Sequence, residues 1–437
     1  TTQALDYMRG KTAEGKPFLV YLPYNVAHGP QDMPPDARPG VDAHTATVEN
    51  LDMNIGRLLR FLDEAGLADN TLLVMVLGDN GMANARYRGD KANVYEAGHR
   101  VPCFIRWKAG GCGGTPAGAR EVPSLTANID LLPTLMDLLG LHDVTSRSPL
   151  VPIQGRSFKR LLSVPDAKAR ADFAARTLVV DNQREDDLIK YKQACVMRDE
   201  LDESGSVTHE WRLIIPAKDK RPELYDVQAD SREQENLIDD PDHDRLVASL
   251  KAAYEAWWPT ASTHAADYAR PILGTAAEPE ICLYSHDWHT PVIPPWNQAM
   301  IAAGPARQGF NAVAFGQAGD YTFDLRRWPK DLAVETTLTS TLQTPLRVGD
   351  AGFNGETTLT RGKALPVHSA RIRIWDGDKT YADQTQMVDP GSDGAVFTVR
   401  SLPAGPAMVQ TWFYDADGKE LCGAYYDYVS RREDSAE

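Results

Sequence analysis

The chain has 437 residues, room for two or three domains each with its own core. Its 42% apolar and 24% charged residues are those of a folded globular protein, and a formal net charge of −15 excludes a broad electrostatic grip on nucleic acid or anionic lipid. With that charge an anionic ligand must be held by a local cluster of basic residues, and no apolar run is long enough to predict a membrane span.

Residues 1–16 read as the tail of a helix and a turn, with neither an initiator Met nor an apolar signal core. Residues 18–24 are predicted to form a short apolar strand that delivers His28 into the loop at its end. Between 44 and 65, Val48, Leu51, Ile55, Leu58, Leu59 and Leu62 recur at three and four, the single stripe of an amphipathic helix. Gly66 is its stop, and Glu49 and Asp52 are solvated charges on its outer face. Residues 72–78 contain no polar side chain and read as a buried strand, closed at once by Asp79, Asn80 and Gly81. Asp79 and Asn80 therefore stand at a strand's carboxyl end, the edge where ligands gather in an open α/β sheet. A carboxylate beside an amide oxygen is half of a site for a hard cation such as calcium. In the loop that follows, Arg88 and Lys91 could hold an anionic group, Lys91 as a mobile point charge. Residues 101–107 make a second strand and 109–118 a Gly-rich loop. Ile129, Leu132, Leu135, Met136 and Leu139 mark a helix, with Asp130 as its N-cap and Pro133 in its first turn. Strand and helix in alternation predict an α/β fold with a mostly parallel sheet flanked by helices.

Further on, residues 178–180, 194–197 and 211–215 are spaced like a small antiparallel sheet. Residues 259–295 lack periodicity and read as a linker. His286 and His289 within it have no third partner for a metal. From 296 to 437 the chain changes character. Strands at 370–375, 395–399, 408–414 and 421–429, with a hairpin turn at Asp417-Gly418, predict a β-sandwich-like accessory domain. Its aromatics Trp412, Phe413, Tyr414, Tyr425, Tyr426 and Tyr428 are either core or a sugar-stacking platform. Five cysteines, Cys103, Cys112, Cys195, Cys282 and Cys422, show no metal-ligand spacing; most read as free or buried thiols, and one disulfide is neither required nor excluded.

The strand ending in D-N-G, then R-G-D-K, then Y-E-A-G-H-R-V-P before another strand resembles the second half of the catalytic domain of the type I sulfatases, in the alkaline phosphatase superfamily. Further matches flank it in order at 17–30, 48–70, 128–141 and 211–237, and 319–329 resembles a segment appended to bacterial sulfatases. The resemblance implies a sulfatase catalytic domain over 1–258, the distal part of the family's sheet. It also implies hydrolysis of a sulfated small molecule or polysaccharide. Asp79 and Asn80 would be calcium ligands, and Lys91 would contact the sulfate and the bridging oxygen. His28, in H-x-P with Pro30, would bind the sulfate and assist the leaving group. Arg100 would be a structural anchor. The family's nucleophile is a formylglycine made in C/S-x-P/A-x-R. Neither Cys103 nor Ser163 begins such a motif, so the nucleophile is expected upstream of residue 1 and the isolated chain is expected to be inactive. A periplasmic or secreted location is a family expectation. Two other readings stay open. One is a phosphodiesterase or phosphonate hydrolase of the same superfamily, against which the R-G-D-K loop favours sulfate. The other is a non-catalytic remnant that binds sulfated glycans.

Overall fold

The structure, a computed structural model, describes the chain except for residues 29–32, 110–120, 142–152, 163–166, 184–187, 218, 266, 332–335, 342–345, 349–356, 360–361, 390 and 433–437. Pro30, Cys112 and Ser163 lie outside the described residues. Two units separate: one holds Thr1–Leu22, Asn54–Arg184 and Leu188–His264, the other Pro23–Met53 and Ala265–Glu437.

Helix α1, Thr2–Ala13, buries Leu5 and Met8. Helix α2, Ala43–Glu64, is opened by Asp42, whose carboxylate accepts the Thr45 N–H at 3.0 Å, and the chain leaves it through Gly66 at φ 67°. Strand β1, Leu73–Val76, pairs antiparallel with β2, Cys103–Arg106, and the one-turn helix α3, Glu96–His99, lies between them in sequence. The predicted strand at 18–24 carries no ladder, with Leu19 and Tyr21 84% and 89% exposed. Apolar alternation marks a candidate strand, but only a neighbour's backbone makes it one. The α/β class holds. The mostly parallel sheet is not assembled among the described residues, since the β1–β2 pair is antiparallel.

Three helices supply the apolar cover of this pair: α4 (Leu131–Leu139), α5 (Lys159–Leu162) and α6 (Ala167–Ala174). Phe158, Leu161, Leu162 and Phe173 pack with Ile105, Trp107, Leu131 and Leu138. Asp130 precedes α4 but its side chain does not cap that helix. Its buried carboxylate instead takes a two-pronged contact from Arg176, both at 2.7 Å, and the N–H groups of Ala127 and Arg156, each at 2.8 Å.

The small antiparallel sheet is larger than predicted, ordered β3 (Leu178–Asp181), β4 (Ala194–Leu201), β5 (Val207–Ile215), β6 (Glu223–Asp226). Both faces are buried. Ala194, Val196, Leu213 and Leu224 meet Leu250 and Tyr254 of α7 (Asp244–Ser262), while Cys195, Met197, Ile214 and Tyr225 pack with Val94 and Tyr95.

The second unit is a β-sandwich, and residues 259–295 are not wholly a linker. They contain β7 (Ile272–Leu273) and β8 (Glu280–Tyr284). After helix α8, Gln298–Ala303, come β9 (Phe310–Phe315), β10 (Gly319–Arg326), β11 (Leu346–Val348), β12 (Thr357–Leu359), β13 (Ser369–Asp376), β14 (Lys379–Met387), β15 (Gly394–Leu402), β16 (Gly405–Tyr414), β17 (Glu420–Cys422) and β18 (Tyr426–Arg431). One sheet runs β15-β10-β18-β8. The other runs β14-β13-β16-β9-β7, with β17 beside β16 and β7–β9 a parallel pair. Their inner faces share one core that includes Phe323, Phe397, Ile372, Val409 and Phe413. The single strand predicted over 421–429 is two strands in different sheets. The chain crosses at Gly423, where a Cβ would come 2.8 Å from the Trp288 ring. At the predicted hairpin, Gly418 has φ 77° and the Asp415 carboxylate accepts the Asp417 and Lys419 N–H groups.

Among the described residues no helix is long and apolar enough to cross a membrane. Cys103, Cys195, Cys282 and Cys422 are free thiols.

Candidate active site

Asp79 and Asn80 leave β1 in a bend, Asp79 exposed and its carboxylate accepting the Asn80 N–H at 3.0 Å. The Asn80 amide donates to Gly81 O at 2.6 Å, which turns its own carbonyl oxygen away from that contact. Two close approaches hold this exit loop. Gly81 N–H donates to Gly98 O at 3.2 Å, and a Cβ at Gly81 would stand 2.0 Å from Ala97 O. Across the loop, one oxygen of Asp90 accepts from Ala83 N at 3.1 Å and from Lys91 N at 2.7 Å. A single carboxylate thereby ties the segment after Asp79-Asn80 to the residue that carries the ammonium group. Lys91 is exposed, and no carboxylate lies within ion-pair distance of it among the described residues.

The loop's other flank is anchored by Arg88. Its guanidinium lies 3.8 Å from the Tyr95 ring centroid and donates to Tyr225 Oη at 3.1 Å and Glu233 O at 2.9 Å. Arg232 reaches the carbonyls of Asn84, Ala85 and Tyr87. Arg88 is therefore a fastening for the loop.

Below it sits a charged hub that no spacing argument singled out. Glu96 is 2% exposed and accepts from Arg212 Nε at 2.9 Å and Arg100 Nη1 at 2.6 Å. Arg212, itself buried on β5, also faces Asp199 and Glu210 at 3.5 Å. Burial is the largest influence on the Glu96 carboxyl and would raise it, but the Arg212 guanidinium and the His99 ring, 3.5 Å away, together outweigh it and hold the group well below the usual carboxylate range. Arg100 is thus a structural anchor, as its place in the motif implied. The available signal was the glutamate of Y-E-A-G-H-R-V-P, which is buried here in the one-turn helix α3.

Glu233 completes the hub with the opposite behaviour. One of its oxygens accepts Glu96 N at 3.1 Å, and the other is buried with no hydrogen-bond partner. Burial pushes its carboxyl from 4.5 up to about 7 against the pull of that N–H. A raised carboxyl contributes stability that is full below 4.5 and lost as pH rises through about 7. Glu233→Gln should therefore gain about 1–3 kcal/mol over the parent at pH 8 and little at pH 5. Urea titrations of both chains at the two pH values check this; equal differences at both would refute the assignment.

His28 lies exposed in a turn of the second unit, its N–H donating to Asn25 O at 3.1 Å, whereas Asp79, Asn80 and Lys91 belong to the first. The Asp79 carboxylate and the Asn80 carbonyl are hard oxygen donors of the kind calcium takes, but its shell needs about six to eight of them. No cluster of three or more His, Cys, Asp or Glu able to hold a metal is found among the described residues, at 79–80 or at His286 and His289. The two side chains fit a share of a calcium shell and no more.

The Sulfatase family model matches residues 1–141, and that of the N-sulphoglucosamine sulphohydrolase C-terminal region matches 87–257. The rat steryl-sulfatase is 34% identical over 177 residues, covering 37% of this chain and 29% of that protein. The N-acetylgalactosamine-6-O-sulfatase of Bacteroides thetaiotaomicron is 25% identical over 261 residues, covering 55% and 47%. The chain thus matches less than half the length of either relative. Among solved structures, the PsFucS1 sulfatase from Pseudoalteromonas aligns over 59% of this chain and 52% of its own at 17% identity and a TM-score of 0.44. At such scores structural likeness carries no weight for function.

Proposed function

Over residues 1–257 the chain belongs to the type I sulfatases of the alkaline phosphatase superfamily, and on that premise we propose that it forms part of a sulfuric ester hydrolase. The observation that carries the reading is the Asp90 tether, which holds Lys91 beside the exit loop of Asp79 and Asn80. Lys91 Nζ then contacts the sulfate and the bridging oxygen, where negative charge grows as the S–O bond breaks. His28 hydrogen-bonds the sulfate and donates a proton to the leaving oxygen. Asp79 and the Asn80 carbonyl would supply two ligands to calcium, and the ion would add positive charge for the sulfate oxygens. The formylglycine nucleophile is assigned to a segment outside these 437 residues. The substrate is a sulfated small molecule or polysaccharide. Relatives named for a steryl ester and for an amino sugar leave its alcohol part open. A periplasmic or extracellular location accompanies the reading.

The test is expression from the complete coding sequence in a host that forms formylglycine, followed by assay of an aryl sulfate and an aryl phosphonate. Sulfate release should dominate. Lys91→Ala should lower kcat/KM about 100-fold, roughly 2.7 kcal/mol of transition-state stabilisation. Lys91→Arg should not restore it, because a planar fork cannot replace a point charge. Faster turnover of the phosphonate, or a Lys91→Ala enzyme with parental kcat/KM, overturns the reading.

A further inference from the structure

The second unit carries a cleft of about 520 Å³ that the sulfatase reading does not use. One wall is the end of β8 and the turn after it, where Tyr284 is 47% exposed; the other is the entry to α8, where Trp296 is exposed to the same degree. Tyr426 closes the floor, edge-on to Tyr284 with ring centroids 5.8 Å apart. Two large aromatic rings held half open on a folded module are costly to leave in water, and they offer flat apolar faces.

The walls are fixed. Ser285, buried, donates its hydroxyl to Pro295 O at 2.6 Å and its N–H to Tyr425 O at 2.9 Å, which locks the two walls to each other and to β18's approach. Asn297 accepts the Met300 N–H at 2.9 Å through its amide oxygen, and Gln298 donates to the Tyr426 hydroxyl. Each amide is thus oriented and keeps further hydrogen-bonding capacity. Asp287 adds a solvent-facing carboxylate, 3.3 Å from the His286 ring. Among the described residues no lysine or arginine lines the cleft, and His286 is its one ring that could carry positive charge. A sulfate or carboxylate entering it would meet Asp287 with no permanent cation to offset it, inside a protein of net charge −15.

Flat apolar faces beside fixed amides and a carboxylate suit a ligand that is itself apolar on one face and hydroxylated at its edges. We propose that this cleft binds a neutral, unsulfated stretch of a saccharide chain. The sugar's C–H face stacks on Trp296 and Tyr284, and its hydroxyls pair with Asn297, Gln298 and Asp287. The site uses none of the residues assigned to sulfate ester hydrolysis and stands whether or not that assignment does.

The test is titration of the whole 437-residue chain, by calorimetry and tryptophan fluorescence, with neutral tetra- to hexasaccharides of glucose, galactose and N-acetylglucosamine, and with a sulfated galactan oligosaccharide. At least one neutral oligosaccharide should bind at or below millimolar concentration. Trp296→Ala should weaken it about tenfold or more, the loss of one stacked ring. Gln298→Ala, which removes the carboxamide and one methylene of a half-buried side chain, should also weaken it and serves if the first variant misfolds. Tyr7→Ala, an exposed aromatic of the other unit, should leave it unchanged. Added salt should shift the Kd by less than about twofold, since no charge pairing is involved. The proposal fails if no neutral saccharide binds at millimolar concentration. It fails equally if the Trp296→Ala and Gln298→Ala chains bind as the parent does, or if only the sulfated oligosaccharide binds and salt abolishes it.

Discussion

Arg212→Met should destabilise the first unit by about 3–5 kcal/mol, the cost of leaving a buried charge without its partner. Glu96 and Arg212 are each about 3% exposed at the side chain, and Asp199 is hardly more open. Burying Arg212 is unfavourable by itself and is offset only by the carboxylates around it. With methionine there, Glu96 keeps only Arg100 and the His99 ring beside it, and Asp199 and Glu210 lose a shared neighbour. The damage should spread to the site, because α3 supplies Gly98 O to Gly81 and Ala97 N–H to Arg88 O. Hydrogen exchange at the Gly81 and Ala97 amides should therefore accelerate together. Glu96→Gln in the Arg212→Met background should recover part of the loss, since it removes the orphaned charge, and the two changes should be clearly non-additive. Urea unfolding of the four chains measures this. A single-variant loss under about 1 kcal/mol would mean that water, not Arg212, solvates the hub.

This hub also marks where sequence reading stops. The position of Asp79 and Asn80 just after a strand, and of Lys91 in the loop beyond, is legible because an apolar run, a turn tripeptide and a basic loop stand within about twenty residues of one another. Glu96 and Arg212 are 116 residues apart, and only the fold of β4, β5 and β6 brings them together. Local regularity was similarly readable. Gly66 ends α2 in the left-handed conformation, and Glu49, taken as a solvated charge, lies exposed against Arg38. What failed turns on a partner strand that the local sequence does not name. The segment at 18–24 has the composition of a strand and no ladder. β8, with only five residues among prolines, becomes a strand because β18 lies alongside it, Tyr284 opposite Tyr426. The aromatics of 412–428 divide likewise. Phe413 and Trp412 are core, while Tyr425 and Tyr426 reach both the core and the cleft.

Asp427→Asn should flatten the pH dependence of the second unit's stability and make it more stable than the parent above pH 8. Asp427 stands on β18 between Leu283 and Leu325, 1% exposed, and neither carboxylate oxygen has a hydrogen-bond partner. Burial, with a smaller contribution from Asp324, pushes its carboxyl from 3.8 to about 8. Its contribution to stability is complete below 3.8 and is lost as pH climbs through about 8, because ionisation in place would put a charge in the apolar core. Within that window one proton corresponds to about 1.4 kcal/mol per pH unit, so the loss across it is on the order of 5 kcal/mol. Asparagine has nearly the same shape and cannot ionise, and the slope should vanish with it. Asp324→Asn should shift the window to lower pH, since it withdraws a like charge while Arg326 and Lys330 remain nearby. The check is denaturant unfolding at half-unit steps from pH 5 to 9, followed by a probe in the sandwich such as Trp328. Parallel curves for the parent and Asp427→Asn would show that the carboxylate finds solvent or a cation on ionising, and would remove Asp427 as the source of the slope.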